Sequence, residues 1–378
     1  MKILHTVEYY FPSVGGAQEV VKQLSEHLVL LGHDITVATS KLRERKQKTI
    51  NGVNIEEFNI SGNAVRGYLG TDIEKYRNFL INSKFDVIMN YAAQQWTADL
   101  MFEVIDKIKA RKIFVPCGYS GLHDRTYKDY FSKLPNILKK YDASVYLSPN
   151  YRDINYAKEQ GIRNLHVIPN GADEREFGSL DPVGASKLRK KLGINPKDKL
   201  ILSIGNHTGL KGHNETINLY LKAQIPDSSL LIVGGSSGQS GCYHSCHRRA
   251  TISNFLSTLA HNGKKIIITN FSREDTILAY QAADLFLFLS HVECSPLVLF
   301  ESAAAGLPFI SREVGNTREI AKWTGGGIIC ESTSCLEKLL GNDQMLHQLS
   351  LNGRSNWRTT YTWNKLAKQY LSLYKGLR

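Results

Sequence analysis

Short apolar runs alternate with amphipathic stretches along this chain, in two successive series. Lys2–Val7 reads as a buried strand, followed by the loop Phe11-Pro12-Ser13-Val14-Gly15-Gly16. Val20, Val21, Leu24, Leu28 and Leu31 then fall at helical spacing, and Gly32-His33-Asp34 closes that helix before a second strand at Ile35–Ala38. Asp86–Met89, Lys112–Pro116, Ala143–Leu147 and Leu165–Ile168 continue the alternation. Strand–helix–strand order of this kind predicts a parallel sheet covered on both faces.

Turn formers and charges over 171–199 predict a linker. The second series follows: Leu200–Ile204, Leu230–Val233, Lys265–Ile268, Leu285–Leu289, Pro308–Ile310 and Gly327–Ile329. The last element, Trp363–Tyr374, carries Leu366, Tyr370, Leu373 and Tyr374 on one helical face. The pattern predicts two doubly wound domains, with ligand at the carboxyl ends of their strands.

The chain is long enough for two such domains, at 378 residues. Its formal net charge of +12 points to an anionic partner: nucleic acid, a phosphorylated small molecule or an anionic membrane face. Residues 1–178 hold 24 basic and 21 acidic side chains, so most of the excess lies in the second half. The clusters Arg43/Arg45/Lys46/Lys48 and Lys187/Arg189/Lys190/Lys191 are short, lack interleaved aromatics and read as solvated faces. Neither a basic arm nor a zinc-finger spacing is present, which argues against a nucleic-acid partner.

Six cysteines in this length form no secreted-type framework. His5 and Glu8 interrupt the opening apolar run too early for a signal-peptide core. No stretch approaches the roughly 20 apolar residues of a membrane span. These features predict a cytoplasmic protein, soluble or at the inner face of the cell membrane.

Candidate chemistry lies in the loops. Gly15 and Gly16 let backbone amides approach a phosphate at a helix start, although a plain turn would look the same. The loop is not G-x-G-x-x-G, and no acidic residue ends the second strand, which lowers a dehydrogenase reading. In the second series, Gly205-Asn206-His207 leaves a strand and Lys211-Gly212-His213 opens a helix, placing a point charge where a diphosphate could sit. The most informative segment is Glu293-Cys294-Ser295-Pro296-Leu297-Val298-Leu299-Phe300-Glu301, which opens a helix stopped by Gly306. Its carboxylates could grip opposite ends of a polyhydroxyl ligand, with helix-start amides between them for a phosphate. Glu301, in an otherwise apolar helix, requires a partner.

Together and in order, the Glu-x7-Glu spacing, the first-loop glycines, Lys211-Gly212, Ile168-Pro169-Asn170-Gly171 with Asp173, and the terminal Trp363…Tyr370…Tyr374 helix resemble a retaining nucleotide-sugar glycosyltransferase of family 4. The resemblance spans nearly the whole chain. It implies the GT-B fold: two Rossmann-like domains facing across a cleft, an acceptor-side domain over 1–178 and a donor domain over 195–361, with helix 362–378 crossing back onto the first.

By the same resemblance, Glu293 would bind donor-sugar hydroxyls and Glu301 the ribose, while Lys211 would neutralise the diphosphate with amides near Ser295, Pro296 and Leu297 and, on closure, Gly16. Asn270, Phe271 and Ser272 match the family's nucleobase loop, and Asn206 and His207 border the phosphates. Lys211 and Glu293 are thereby the catalytic candidates. The family needs no Asp-x-Asp metal site, and none occurs here. No cofactor is implied, and no nucleophile is assigned for transfer with retention.

Two departures stand out. Asn206 replaces the family's usual arginine, so a cation is missing unless His207, Arg248 or Arg249 compensates. Pro116-Cys117-Gly118 stands where a histidine is common. These leave open altered donor choice or a non-catalytic relative that binds sugar nucleotides; a nucleotide-sugar epimerase or a phosphorylase on the same fold are further alternatives.

Cys242-Tyr243-His244-Ser245-Cys246-His247 has zinc-competent side chains, but Cys-x3-Cys is not a familiar finger spacing and four ligands within six residues would be crowded. An exposed loop following the Gly/Ser stretch 234–241 is preferred, and no metal is assigned. For the acceptor side, Tyr9, Cys117 and Tyr119 are candidates, among loop aromatics that would look the same as half-buried core residues. A saccharide or lipid-linked acceptor, as in cell-surface polysaccharide synthesis, is expected. A peripheral membrane contact through the basic amphipathic stretch Lys133–Tyr141 is an additional expectation, with a plain surface helix as its alternative.

Overall fold

The computed structural model describes residues 1–236 and 241–377. The chain divides into two units, Met1–Asn170 with Trp363–Arg378, and Gly171–Thr362.

In the first unit the strands are β1 (Lys2–Thr6), β2 (Asp34–Ser40), β3 (Thr49–Ile50), β4 (Val53–Phe58), β5 (Ile60–Asn63), β6 (Gly67–Gly70), β7 (Val87–Tyr91), β8 (Arg111–Val115), β9 (Ala143–Tyr146) and β10 (Leu165–Val167). Eight of them form a sheet of order β10-β9-β8-β7-β1-β2-β4-β3, parallel except for the β3–β4 pair. β5 and β6 form a separate antiparallel hairpin. The chain runs outward from β1 in one direction through β2 and β4, and from β7 in the other. The sheet's switch point therefore lies between β1 and β7.

The second unit holds β11 (Lys199–Ile204), β12 (Ser228–Val233), β13 (Lys265–Thr269), β14 (Leu285–Phe288), β15 (Phe309–Ser311) and β16 (Gly327–Ile329), all parallel, in the order β13-β12-β11-β14-β15-β16. Its switch point lies between β11 and β14. Strands such as Ser228–Val233 are buried throughout because helices cover both faces.

All twelve strands expected from apolar runs are present, with ends moved by one or two residues. β3 to β6 were not anticipated; they alternate or are polar, as in the Val-Asn-Ile-Glu-Glu-Phe of β4, so no continuous apolar run marks them. The segment read as a linker is structured. Glu174–Phe177 and Pro182–Lys191 are helices whose Phe177, Ala185 and Leu188 lie in the second unit's core, which moves the unit boundary to Asn170/Gly171. The terminal helix Trp363–Gly376 packs within the first unit: Arg111 Nη1 donates to the Tyr374 carbonyl at 3.1 Å, and the Tyr374 hydroxyl lies 3.3 Å from His5 Nε2.

The two basic clusters are solvated except at Arg45 and Arg189. Arg45 is buried rather than solvated: its guanidinium donates to the Tyr10, Phe11 and Ser40 carbonyls and pairs with Glu57 at 2.6 Å, so it clasps the loop after β1. Arg189 pairs with Asp284 at 2.8 Å. In the amphipathic stretch Lys133–Tyr141, the helix Lys128–Leu138 turns Phe131, Leu134 and Leu138 into the core, while Lys133, Lys139 and Lys140 are exposed. No helix among the described residues is long and apolar enough to cross a membrane.

Candidate active site

The loops leaving β11 and β14 meet at the second unit's switch point. The Leu210 carbonyl accepts from the His291 N–H at 2.8 Å and from the Ser290 hydroxyl at 3.1 Å, joining the two loops. Gly212 follows with φ +68°, and a Cβ there would lie 1.9 Å from the Leu289 carbonyl oxygen. Only glycine permits that approach. Lys211 is thereby aimed across the strand ends, and its Nζ lies 2.7 Å from Glu293 Oε1.

Beyond Glu293 the chain enters the helix Leu297–Ala305, with Pro296 at its N-cap and Gly306 (φ +71°) ending it. Ser295 accepts from the Asn316 side-chain amide at 3.2 Å, and the Asn316 N–H donates to the Cys294 carbonyl at 2.9 Å. Asn316 is a buried bracket for the Glu293 loop that sequence reasoning missed; only its distance from the loop in sequence hid it.

Glu301 is 7 % exposed and has the partners its apolar helix demanded. Arg273 donates to Oε1 at 2.6 Å and the buried Tyr280 hydroxyl to Oε2 at 2.9 Å. Arg273 also pairs with Glu176, its Nε 3.1 Å from Oε1. Burial, then the Glu301 carboxylate, holds the Tyr280 phenol well above its usual range. Neither Arg273 nor Tyr280 was singled out from sequence. Asn270, Phe271 and Ser272 leave β13 beside this group: Phe271 packs against the core, Ser272 caps the helix Arg273–Ala282 through the Asp275 N–H at 3.1 Å, and Asn270 remains exposed.

Around Asn206, the residues that could replace the missing cation are placed differently from one another. Asn206 Oδ1 accepts from the Gly235 N–H at 3.1 Å. Arg249 is bound to Asn214, 3.0 Å from its Oδ1, while Arg248 is exposed on the same helix. The His207 ring points inward. It is 0 % exposed, its Nδ1 is 3.1 Å from His213 Nδ1, and burial lowers its pKa. Burial, with His207 and Lys211 nearby, drives His213 down to about 3, so both rings are neutral near pH 7.

The Cys242–His247 segment is also not a loop. Cys242 is the N-cap and the remainder the first turns of the helix Tyr243–Ala260, with Cys246 buried and His244 exposed. Of the Gly/Ser stretch before it, 237–240 lie outside the described residues.

In the first unit, Gly15 caps the helix Gly16–Leu30, and a Cβ at Gly16 would meet nothing within 4 Å. Tyr9 is exposed after β1, whereas Tyr119 is 1 % exposed and packed edge-on against Phe131 and Tyr156, which removes its ring face from any sugar. Cys117 has φ +56°, Tyr119 +46°, Ala92 +70° and Gln94 +61°. Left-handed non-glycine residues thus cluster at the ends of β7 and β8, strain that the fold holds in place and that concentrates at functional sites. Gln94 Oε1 ties the two loops, accepting from the Gly121 N–H at 3.1 Å. Glu8, whose N–H donates to Gln95 Oε1 at 3.1 Å, joins this edge, and burial raises its pKa.

The family "Glycosyltransferase Family 4" matches residues 14–176 and "Glycosyl transferases group 1" matches 185–355. N-acetyl-alpha-D-glucosaminyl L-malate synthase of Bacillus anthracis is 23 % identical, over 96 % of this chain and 94 % of its own. Among solved structures, Anabaena HepE in complex with UDP-glucose superposes with TM-score 0.78 at 15 % identity, covering all of both chains. Sucrose-phosphate synthase from Thermosynechococcus elongatus gives 0.77 at 18 %, covering 100 % of this chain and 98 % of its own. With two Rossmann-like units and both family matches in register with them, the chain belongs to the family 4 glycosyltransferases of the GT-B fold.

Proposed function

We propose that the chain transfers a glycosyl group, with retention of anomeric configuration, from a nucleoside-diphosphate sugar to a hydroxyl of a saccharide or lipid-linked saccharide in cell-surface polysaccharide synthesis. The observation that carries this reading is the Lys211–Glu293 pair at the β11/β14 switch point. A relative of the same fold binds UDP-glucose, which supports the donor class.

Lys211 places an ammonium where negative charge grows on a departing diphosphate. The amides opening the helix Leu297–Ala305, which has no side-chain cap, add dipole of the same sign. Glu293 holds the ammonium in the absence of donor and accepts hydroxyls of the donor sugar when the diphosphate takes over Lys211. Glu301, fixed by Arg273 and Tyr280, presents its remaining acceptor capacity to ribose hydroxyls. With Asn206 in place of a second cation, Lys211 carries a larger share of the diphosphate charge. The six free cysteines fit a reducing compartment such as the cytoplasm.

The test is incubation with a panel of nucleoside-diphosphate sugars, with and without saccharide acceptors. Release of nucleoside diphosphate together with an acceptor product of unchanged anomeric configuration is expected. Interconversion of donor without acceptor would replace this reading with an epimerase, and an inverted product would remove retention.

A further inference from the structure

Four ligand-type side chains from separate segments converge behind the Lys211 loop. We propose that His207, His213, Cys242 and Cys246 form a tetrahedral zinc site that staples the two ends of this loop to the helix Tyr243–Ala260.

One ligand atom from each residue lies within 4.8 Å of all the others. His207 Nδ1 is 3.1 Å from His213 Nδ1 and 3.5 Å from Cys242 Sγ, and His213 Nδ1 is 3.9 Å from that sulfur. Zinc–nitrogen and zinc–sulfur bonds of about 2.0–2.1 and 2.3 Å in a tetrahedron require separations of about 3.3 Å between nitrogens and about 3.6 Å between nitrogen and sulfur. The spacings among these three atoms are thus close to those of a loaded site, and the Cys246 sulfur lies within 4.8 Å of each of them.

Backbone contacts hold the ligands in place. The Cys242 N–H donates to the His207 carbonyl at 3.1 Å, and the His207 N–H to the Gly235 carbonyl at 2.9 Å. The Cys246 N–H donates to the Cys242 carbonyl at 2.9 Å, so a helical turn puts both thiols on one face. The two buried rings turn their Nδ1 atoms toward each other and toward the Cys242 sulfur. Two imidazoles and two thiols select zinc among common divalent ions. Binding would form two Zn–N and two Zn–S bonds and release the two thiol protons to solvent.

The loop 208–212, with Lys211, lies between the two histidine ligands, so the metal would act as a structural clamp rather than as a catalyst. The site stands independently of the donor chemistry and is tested without donor. Protein purified under reducing conditions without chelator should contain about one zinc per chain by elemental analysis. Cobalt exchanged into it should show the intense visible absorption of a tetrahedral ion and a thiolate-to-cobalt charge-transfer band. Cys246→Ser and His213→Asn should lose both signals, while His244→Ala, altering an exposed neighbour, should keep them. Chelation should lower the melting temperature and expose two thiols to a colorimetric reagent. Failure of the wild-type chain to take up stoichiometric zinc or cobalt, a six-coordinate cobalt spectrum, or a Cys242–Cys246 disulfide in reduced preparations would overturn the proposal, whatever the variants do.

Discussion

Lys211 Nζ and Glu293 Oε1 lie 2.7 Å apart although 82 residues separate them in the chain. They leave β11 and β14, adjacent strands whose connections run in opposite directions, and so face each other where the sheet opens. Lys211→Ala should lower kcat/KM by about 10²–10³-fold, the usual loss for one preorganised charge-stabilising group. The effect should fall mainly on kcat. A loss confined to KM would mean that Lys211 binds the donor without stabilising the departing diphosphate.

Tyr280→Phe tests the support of Glu301. It removes a buried donor to a carboxylate, a loss of about 1.5–3 kcal/mol if nothing replaces it. Chemical denaturation should show that loss, and calorimetry should show weaker nucleoside diphosphate binding. Unchanged nucleotide affinity in a destabilised variant would confine Glu301 to a structural role.

Gly212→Ala and Gly209→Ala form a matched pair. Both glycines have positive φ, but a Cβ at Gly212 would strike the Leu289 carbonyl while one at Gly209 would meet nothing within 4 Å. Gly209→Ala should cost about 1–2 kcal/mol of backbone strain. Gly212→Ala should cost clearly more and should also impair catalysis by moving Lys211. Equal melting temperatures for the two variants would contradict the close approach.

Acid sensitivity should be traceable to His5. Its ring is fully buried between Ser25 and Tyr374, and burial lowers its pKa to about 3. The unfolded chain binds a proton near pH 6.5, so stability falls as pH drops below that value, by up to about 1.4 kcal/mol per unit until about pH 3. Asp99 and Asp153 act with opposite sign: burial raises each to about 6, so their contribution is lost as pH rises from about 4 to 6. Denaturant titrations at pH 5, 6 and 7 should show His5→Gln losing less stability toward pH 5 than the parent chain. Parallel profiles would reject the assignment.

Sequence alone determined the two α/β series, the Glu293–Glu301 segment and the family resemblance, because buried parallel strands write continuous apolar runs and the site motifs are contiguous. Where a feature depended on distant pairing, only tertiary structure decided it. β4 is half polar and found its place beside β2 rather than by its own pattern. Arg273 and Tyr280 look unremarkable until the fold sets both against Glu301. Tyr119 has the composition of a sugar platform but is enclosed by Phe131 and Tyr156. The Cys242–His247 run suggested a crowded local ligand set; the fold instead turns His244 outward and brings His207 and His213 from the loop after β11 to the two thiols. Local periodicity records which face of an element is buried, whereas charge pairing and ligand convergence depend on which elements become neighbours. That choice is made by packing of the whole unit.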